Sequence, residues 1–396
     1  MYTELSSAAA DVLLSGGIAV GRAEVWSLAG VRKARLSVAA GSCTWDRTAA
    51  IPRSCDVTLA GFEGILPDLG SLPPAKTYAD TNGTYADDVV NGPYGGDLVN
   101  RQLRGLLIPA VTELRLFLDV WLPDGSVESI PMGHYRIATV NPEHTPKGVR
   151  VHLTGFDVAR SVRLAGYTTP YAITAGTNTR AALLGLLSSK VPGVTATAPS
   201  TEFTAPRLCF LPSEGADPWA DCRTLAWSAG WDLLTTRTGG IVAVVPGDPG
   251  SGEPVWSLTE ATLTRAASTV DDEECINTVV CFGQTAEDVP VRGVAQQTAG
   301  QWGTESVGTR TKFFTVPTVR TEQQAQNTAQ GLLRQLMGLT DTIELDVPMA
   351  PHLDPGDLVA VDESVLQLED TVYCLERSVF DFARQPTRLT LSRRLA

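Results

Sequence analysis

GHYRIATVNPEHTPKGVRVHLTGFD, residues 133–157, decides whether this chain is read as a catalyst or as a frame. It holds three of the four histidines, with Glu143 and Asp157 close by. Tyr135, Ile137 and Thr139 share one parity ahead of the turn, and Val149, Val151 and Leu153 share one after it, the period-two pattern of a β-hairpin. Placing Tyr135 opposite Leu153 and Ile137 opposite Val151 sets His134 against Thr154 and Arg136 against His152 on the more polar face. The two histidines are then diagonal neighbours, roughly 7–8 Å apart. Zinc needs three or four ligands at bonding distance, the segment has no cysteine, and Arg136 and Arg150 on that face repel a cation. The stretch reads as architecture.

Working outward, residues 5–16 predict a short helix capped by Ser6 or Ser7 and stopped at Gly16-Gly17. Strand follows strand to about residue 160: Cys55, Val57 and Leu59 alternate with polar neighbours, and Leu114, Leu116, Leu118, Val120 and Leu122 share a face. Residues 67–100, rich in Gly, Pro, Asn and Asp, predict a long surface loop. Helical spacing then appears in NTRAALLGLLSSK. It returns in DPWADCRTLAWSAG, with Asp217 as cap, Pro218 at the first helical position, and Gly230 as terminator. A hairpin through Trp231, Leu233 and Thr235, turning at Gly239-Gly240, completes a small α/β unit. GDPGSGEP, residues 247–254, reads as a linker. Further on, Thr321 and Gln324 form a capping box ahead of Ala325, Ala329, Leu332, Leu333 and Leu336, and Gly338 ends that helix. Strands with a turn at 354–357 close the chain, and the strand–turn–strand order at 371–395 echoes 134–155.

A chain of 396 residues exceeds one ordinary core and implies two to four domains. With 43% hydrophobic and 19% charged residues, it has the composition of a folded, soluble protein. The net charge of −13 argues against gripping nucleic-acid phosphates, which takes clustered Lys and Arg. The seven cysteines form no CxxC pair, so neither a disulfide framework nor a zinc site is indicated, and buried, reduced thiols are expected. The N-terminal MYTELSSAAADVLLSGG carries Glu4 and Asp11 and has no basic n-region, so a secretory signal is not expected; no apolar run reaches the length of a membrane span, so no stable membrane insertion is expected.

Chemistry-bearing motifs are missing. There is no GxSxG, HExxH, P-loop or dinucleotide glycine pattern, and no cofactor is indicated. The acidic run Asp271, Asp272, Glu273 and Glu274 could supply a glycosidase carboxylate pair, but adjacent acids more often mark a solvated turn. Asp80, Asn82, Asp87 and Asp88 do not meet EF-hand spacing. Trp219, Trp227 and Trp231 read as core of the small domain in preference to a sugar-stacking platform.

The order of motifs carries more than any one of them. SCTWDRTAAIPRSCDVTLAGFEGILPD contains Asp46 and Arg53; PYGGDL contains Pro93 and Gly95; LPDGSVESIPMGHYRIATV contains Gly133 and Tyr135; GVRVHLTGFDVARSV contains Gly155 and Asp157. YAITAGTNTRAALLGLL and EGADPWADCRTLAWSAGWDLLTTRTGGIVAVVPGDP follow, the latter with Asp217, Pro218, Trp219 and Gly230. TEQQAQNTAQGLLRQLMG and then LDPGDLVAV, with Pro355, Gly356 and Asp357, complete the series. This colinear set, spanning nearly the whole chain, resembles minor tail proteins of the baseplate-hub, or tail-associated, family from long non-contractile-tailed phages of actinobacteria.

The resemblance implies a β-rich, multidomain α+β fold. Two tube-like β-barrel or sandwich domains would occupy residues 1–165 and 251–345, with a small α/β domain over 166–250 between them and a C-terminal β part over 346–396. It implies a non-enzymatic homotrimer at the distal end of the virion tail, made in the host cytoplasm. Its expected partners are a hexameric distal tail protein, the C-terminus of the tape-measure protein, and tail fibre or tip proteins, with phage DNA passing through without specific binding. Because the chain stops at SRRLA where many relatives extend, lytic or receptor-binding activity is expected from other proteins. The alternative reading is a receptor- or carbohydrate-binding tail-tip component, and a third is a cryptic wall-degrading enzyme using Asp271 to Glu274. Loop 67–100, long for the family, is expected to be a docking surface.

Overall fold

The computed structural model describes residues 5–395 apart from 61–105, 146–147, 203, 206, 246–251, 273–274, 286–288, 317–318, 337–338 and 384. The long loop with Pro93 and Gly95, the four calcium candidates, Glu273, Glu274 and Gly338 lie outside the described residues.

After helix α1 (Ser7–Leu14), capped by Ser6 as expected, come β1 (Ala19–Ser27), β2 (Arg32–Asp46), β3 (Arg53–Ala60), β4 (Thr112–Trp121), β5 (Val127–Thr145) and β6 (Gly148–Phe156). Their antiparallel order β1-β4-β5-β6-β3-β2 closes on itself through β1–β2 pairing, giving a six-stranded barrel. Strand alternation sends Leu114, Leu116, Leu118 and Val120 inward, where they pack with Trp45, Val57, Leu59, Tyr135, Val151 and Leu153. A barrel this small is filled by its own side chains and leaves no pore.

The hairpin at 133–157 is present, but its register differs from the expected one. Ile137 faces Gly155, Val140 faces Leu153, and Asn141 faces His152. Two features cause the shift: a bulge between Ile137 and Thr139, and strands that run on to a Thr145–Gly148 pair, so the connection is shorter than the pattern suggested. Because the shift spans a bulge, Tyr135, Ile137, Val151 and Leu153 all stay inside.

Helix α2 (Val158–Leu164), β7 (Tyr171–Ile173), β8 (Thr177–Asn178), α3 (Thr179–Lys190), β9 (Ala196–Thr197), β10 (Thr204–Ala205), β11 (Leu208–Phe210), α4 (Pro218–Trp227), β12 (Asp232–Thr235) and β13 (Ile241–Val244) form a second unit. They share a core around Leu183, Leu186, Trp219 and Leu225. Asp217 accepts hydrogen bonds from the Trp219 and Ala220 backbone amides, Pro218 opens α4, and Gly230 follows its end with φ +77°.

The remaining strands divide between two cores. Strands β14 (Trp256–Thr259), β15 (Arg265–Asp271), β19 (Leu339–Val347), β20 (Leu358–Glu363), β21 (Leu368–Asp381) and β22 (Thr387–Leu395) form one sheet in the order β14-β20-β21-β22-β19-β15, packed around Ile343, Leu345, Val359, Tyr373 and Leu391. Between them in sequence, β16 (Thr278–Gln284), β17 (Pro290–Gln296), α5 (Thr304–Val307), β18 (Thr311–Thr315) and α6 (Glu322–Leu336) build a separate layer around Val279, Ala325 and Leu332. The capping box is formed: the Gln324 amide donates to Thr321 Oγ1 at 3.2 Å, and the Thr321 amide donates to Gln324 Oε1 at 3.3 Å. The division expected at 345/346 falls inside β19, whose two flanks share one core. Barrel and second sheet are continuous, because β2 pairs with β21 from Ser42↔Asp381 to Asp46↔Arg377.

Candidate functional site

Beside that β2–β21 seam, the barrel, the α/β unit and the second sheet meet over a set of charges withdrawn from water. Arg53 opens β3, Arg237 sits in the β12–β13 turn, and Asp354 lies in the turn before β20, with side-chain exposures of 6%, 3% and 4%. Both guanidiniums donate to one atom, Asp354 Oδ1, each at 2.9 Å. Arg53 Nε also donates to the Thr235 carbonyl at 2.9 Å. Arg237 donates to the carbonyls of Pro351 and, at 2.7 Å, Leu353. The Arg237 guanidinium lies 4.2 Å from the centre of the Trp45 ring, a cation–π contact in a desolvated setting.

The motif residues converge here from distant parts of the sequence. The Asp157 carboxylate accepts from the Arg53 amide at 2.9 Å, from the Ala159 amide at 3.0 Å as the cap of α2, and from the Thr235 hydroxyl. Tyr135 accepts from Trp45 Nε1 at 3.0 Å and donates to the Met132 carbonyl at 2.9 Å. Gly133, at φ +136°, leaves room for it, since a Cβ there would lie 2.5 Å from Tyr135 Oη. A Cβ on Gly155 would sit 2.9 Å from both Cys55 Sγ and Tyr135 Cβ. In the 354–357 turn, Asp357 accepts from the Asp354 amide at 2.8 Å and Gly356 donates to the Leu375 carbonyl at 2.7 Å.

Other motif residues serve elsewhere. Asp46 caps the β2–β3 turn through Thr48 and Ala49. Asp217, Pro218, Trp219 and Gly230 belong to α4 and its end. Sequence reasoning passes over Trp45 and Arg237, and it places Thr235 and Asp354 only in a hairpin and a turn. Asp354 carries a turn signal, whereas nothing in TTRTGG marks Arg237 as buried.

The electrostatics favour clamping over catalysis. Burial alone would raise the Asp354 carboxyl, but Arg237 and Arg53 outweigh it and hold it below the usual aspartate range. A carboxylate spent on two guanidiniums is no general base. Burial pushes Asp157 up to about 6 despite its hydrogen bonds. Among the described residues, no group of three His, Cys, Asp or Glu is placed to hold a metal. Six cysteines are buried, Cys209 is exposed, and all seven are free thiols. Trp219 and Trp231 are buried, and Trp227 packs against Phe314 with ring centres 5.5 Å apart. Asp272 pairs with Arg310 at 2.7 Å. No helix among the described residues is long and apolar enough to cross a membrane.

The histidines follow the same logic. His134 Nδ1 lies 3.3 Å from Glu113, yet burial pushes its pKa down to about 4 against that carboxylate, so at neutral pH the ring beside it is neutral and the contact is not an ion pair. His352, edge-on to Trp256 with ring centres 4.8 Å apart, is also pushed to about 4, by burial and then by Arg237. An unfolded chain protonates these rings near pH 6.5, so their stabilisation is complete above that pH and is lost as pH falls to about 4, at up to ~3 kcal/mol each. Asp157 acts in the opposite sense, taking its proton first in the folded state and returning up to ~3 kcal/mol between pH 6 and 4. The expected balance is a net loss of about 3 kcal/mol from pH 6.5 to 4, read from urea midpoints. NMR should show both rings neutral at pH 5; a charged His352 there would refute the assignment.

No protein-family model matches the chain, and no curated protein matches it in sequence. Solved structures do. The tail protein from Neisseria meningitidis MC58 superposes with a TM-score of 0.60 at 14% identity, over 94% of this chain and 96% of that one. This chain has the fold of a phage-type tail protein. The 43 kDa tail protein of prophage MuSo2 from Shewanella oneidensis agrees, with a TM-score of 0.56 at 11% identity over 94% and 98% of the two chains. A chain of the lidded Francisella PdpA–VgrG complex follows at TM-score 0.51 and 6% identity, over 95% of this chain and 52% of that one. At such identities the tail-protein fold is what is shared, and the buried junction explains how it is held: three units are pinned at one point beside the seam.

Proposed function

We propose that this chain is a non-enzymatic hub protein of a phage virion, standing at the distal end of the tail. Three copies would form a ring of six β units, joining a sixfold tail tube and hexameric distal tail protein to threefold tip components. The observation that carries this reading is the pair of six-stranded β units fused edge to edge through β2–β21 and locked by Arg53, Arg237 and Asp354. A protomer that supplies two β units at a fixed angle suits a passage from sixfold to threefold symmetry. Its bore would pass DNA without holding it, and the distribution of charge supports this. Residues 251–396 carry 11 Lys and Arg against 21 Asp and Glu, a net of −10 out of −13 for the chain. The tape-measure C-terminus and tail fibre or tip proteins are the further partners of this reading. Loop 67–100 is proposed as a docking surface for one of them.

Cryo-electron microscopy of intact particles tests the proposal. Three copies around the axis at the tail's distal end are expected; one copy per tail, or copies along the shaft, would overturn it.

A further inference from the structure

Two hairpin tips, one in each β unit, have opposite charge and exposed apolar residues. The β1–β2 tip carries Arg32, Lys33 and Arg35, and no acidic residue occurs from 25 to 45. Arg32 and Arg35 contact Glu24 and Asp119 at 3.3 Å, yet their side chains stay 57% and 63% exposed. Leu28 and Val31 beside them are 49% and 53% exposed. The β20–β21 tip carries exposed Asp362, Glu369 and Asp370, and no Lys or Arg occurs from 357 to 376. Val365 at its end is 81% exposed. Glu260, which accepts from Ser364 at 2.8 Å, adds a further negative charge.

Within one copy the two tips extend from the seam in opposite directions. Strands β2 and β21 are antiparallel neighbours paired only over residues 42–46 and 377–381. From that overlap β2 runs back to Arg32 in one direction, and β21 runs back to Leu368 in the other. Roughly 70 Å of strand contour separates the two tips. Complementary surfaces at opposite ends of a protomer make heterologous, head-to-tail contacts, the kind that generates a closed ring when the rotation between copies closes.

We infer that the basic β1–β2 tip of one copy docks on the acidic β20–β21 tip of the next, with Leu28, Val31 and Val365 forming the apolar centre and the charges its rim. The inference rests on the ring reading and specifies its seam. Rim charges of this kind set register and encounter rate, and they weaken with salt.

The test is a charge swap in the full chain using Lys33→Glu, Glu369→Lys and the two combined, with unchanged thermal midpoints as the check that each variant folds. Assembly is read by sedimentation equilibrium, or by incorporation into purified tails if the free chain sediments as a monomer. Each single reversal is expected to weaken assembly about tenfold, and the combined variant to restore it to within about threefold of wild type. Trimers that form equally well with either single reversal would overturn this seam and leave the hub reading standing. Particles with one copy per tail would remove both. Loss of assembly in the combined variant equal to that of the singles would mean that the tips meet other partners, and would also overturn the seam.

Discussion

Asp354→Ala is expected to destabilise the protein by about 3–5 kcal/mol, the largest effect of any single polar substitution. The carboxylate is the common acceptor of two guanidiniums that are 6% and 3% exposed, so its removal leaves two cations facing each other away from water. Asp157 compensates poorly, because burial pushes it up to about 6 and it is already engaged by the Arg53 amide and Thr235. The carbonyls of Thr235, Pro351 and Leu353 would still hold the arginines in place, which prevents relief by rotation to solvent. A urea titration followed by tryptophan fluorescence reads the change, since Arg237 lies over Trp45. Replacing Arg53, Arg237 and Asp354 together by Met, Met and Leu should recover part of the loss, because no charge is then stranded although the three carbonyls lose their donors. A change below about 1 kcal/mol in Asp354→Ala would mean that water reaches the junction.

Gly293→Val should displace helix α6. A Cβ at Gly293 would lie 2.2 Å from the Ala325 carbonyl carbon and 2.3 Å from the Gln326 nitrogen, which are backbone atoms with no rotamer to yield. The helix is stitched to β17 at that point, as Gln326 accepts from the Val294 amide at 3.1 Å and donates to its carbonyl at 2.8 Å. Separating them exposes the packing of Ala325, Ala329, Leu332 and Leu333 at a cost of about 3 kcal/mol. Faster hydrogen exchange confined to residues 322–336 is the expected signature. Gly331 provides the control on the same helix: nothing lies within 4 Å of its added Cβ, so Gly331→Ala should stabilise by about 0.5–1 kcal/mol. Equal protection of α6 in wild type and Gly293→Val would refute the close packing.

The elements most legible in the sequence were those governed by neighbours along the chain. Asp217 and Pro218 set the start of α4, Thr321 and Gln324 set that of α6, and the alternation through Leu114 to Val120 set the inward face of β4. The register of β5 against β6 was not legible in this way, because a bulge near Ala138 leaves no mark in a pattern of apolar and polar residues. Motif residues 53, 133, 135, 155, 157 and 354–357 were visible as separate short signals. Their meeting place was not visible, since Arg53 and Asp354 lie 301 positions apart and a charged residue in sequence looks like a solvated one.

The sequence by itself determined a β-rich chain with interleaved helices, the caps and turns that bound them, and a surplus of acid concentrated beyond residue 250, because these depend on local sterics, side-chain period and counted charge. Only the tertiary structure decided that β14 and β15 join β19 to β22 in one sheet, that this sheet continues into the barrel through β2 and β21, and that three distant charges close the seam. Strand partners and buried ion pairs are chosen by competition among all exposed edges and all charges at once, and no local window contains that competition.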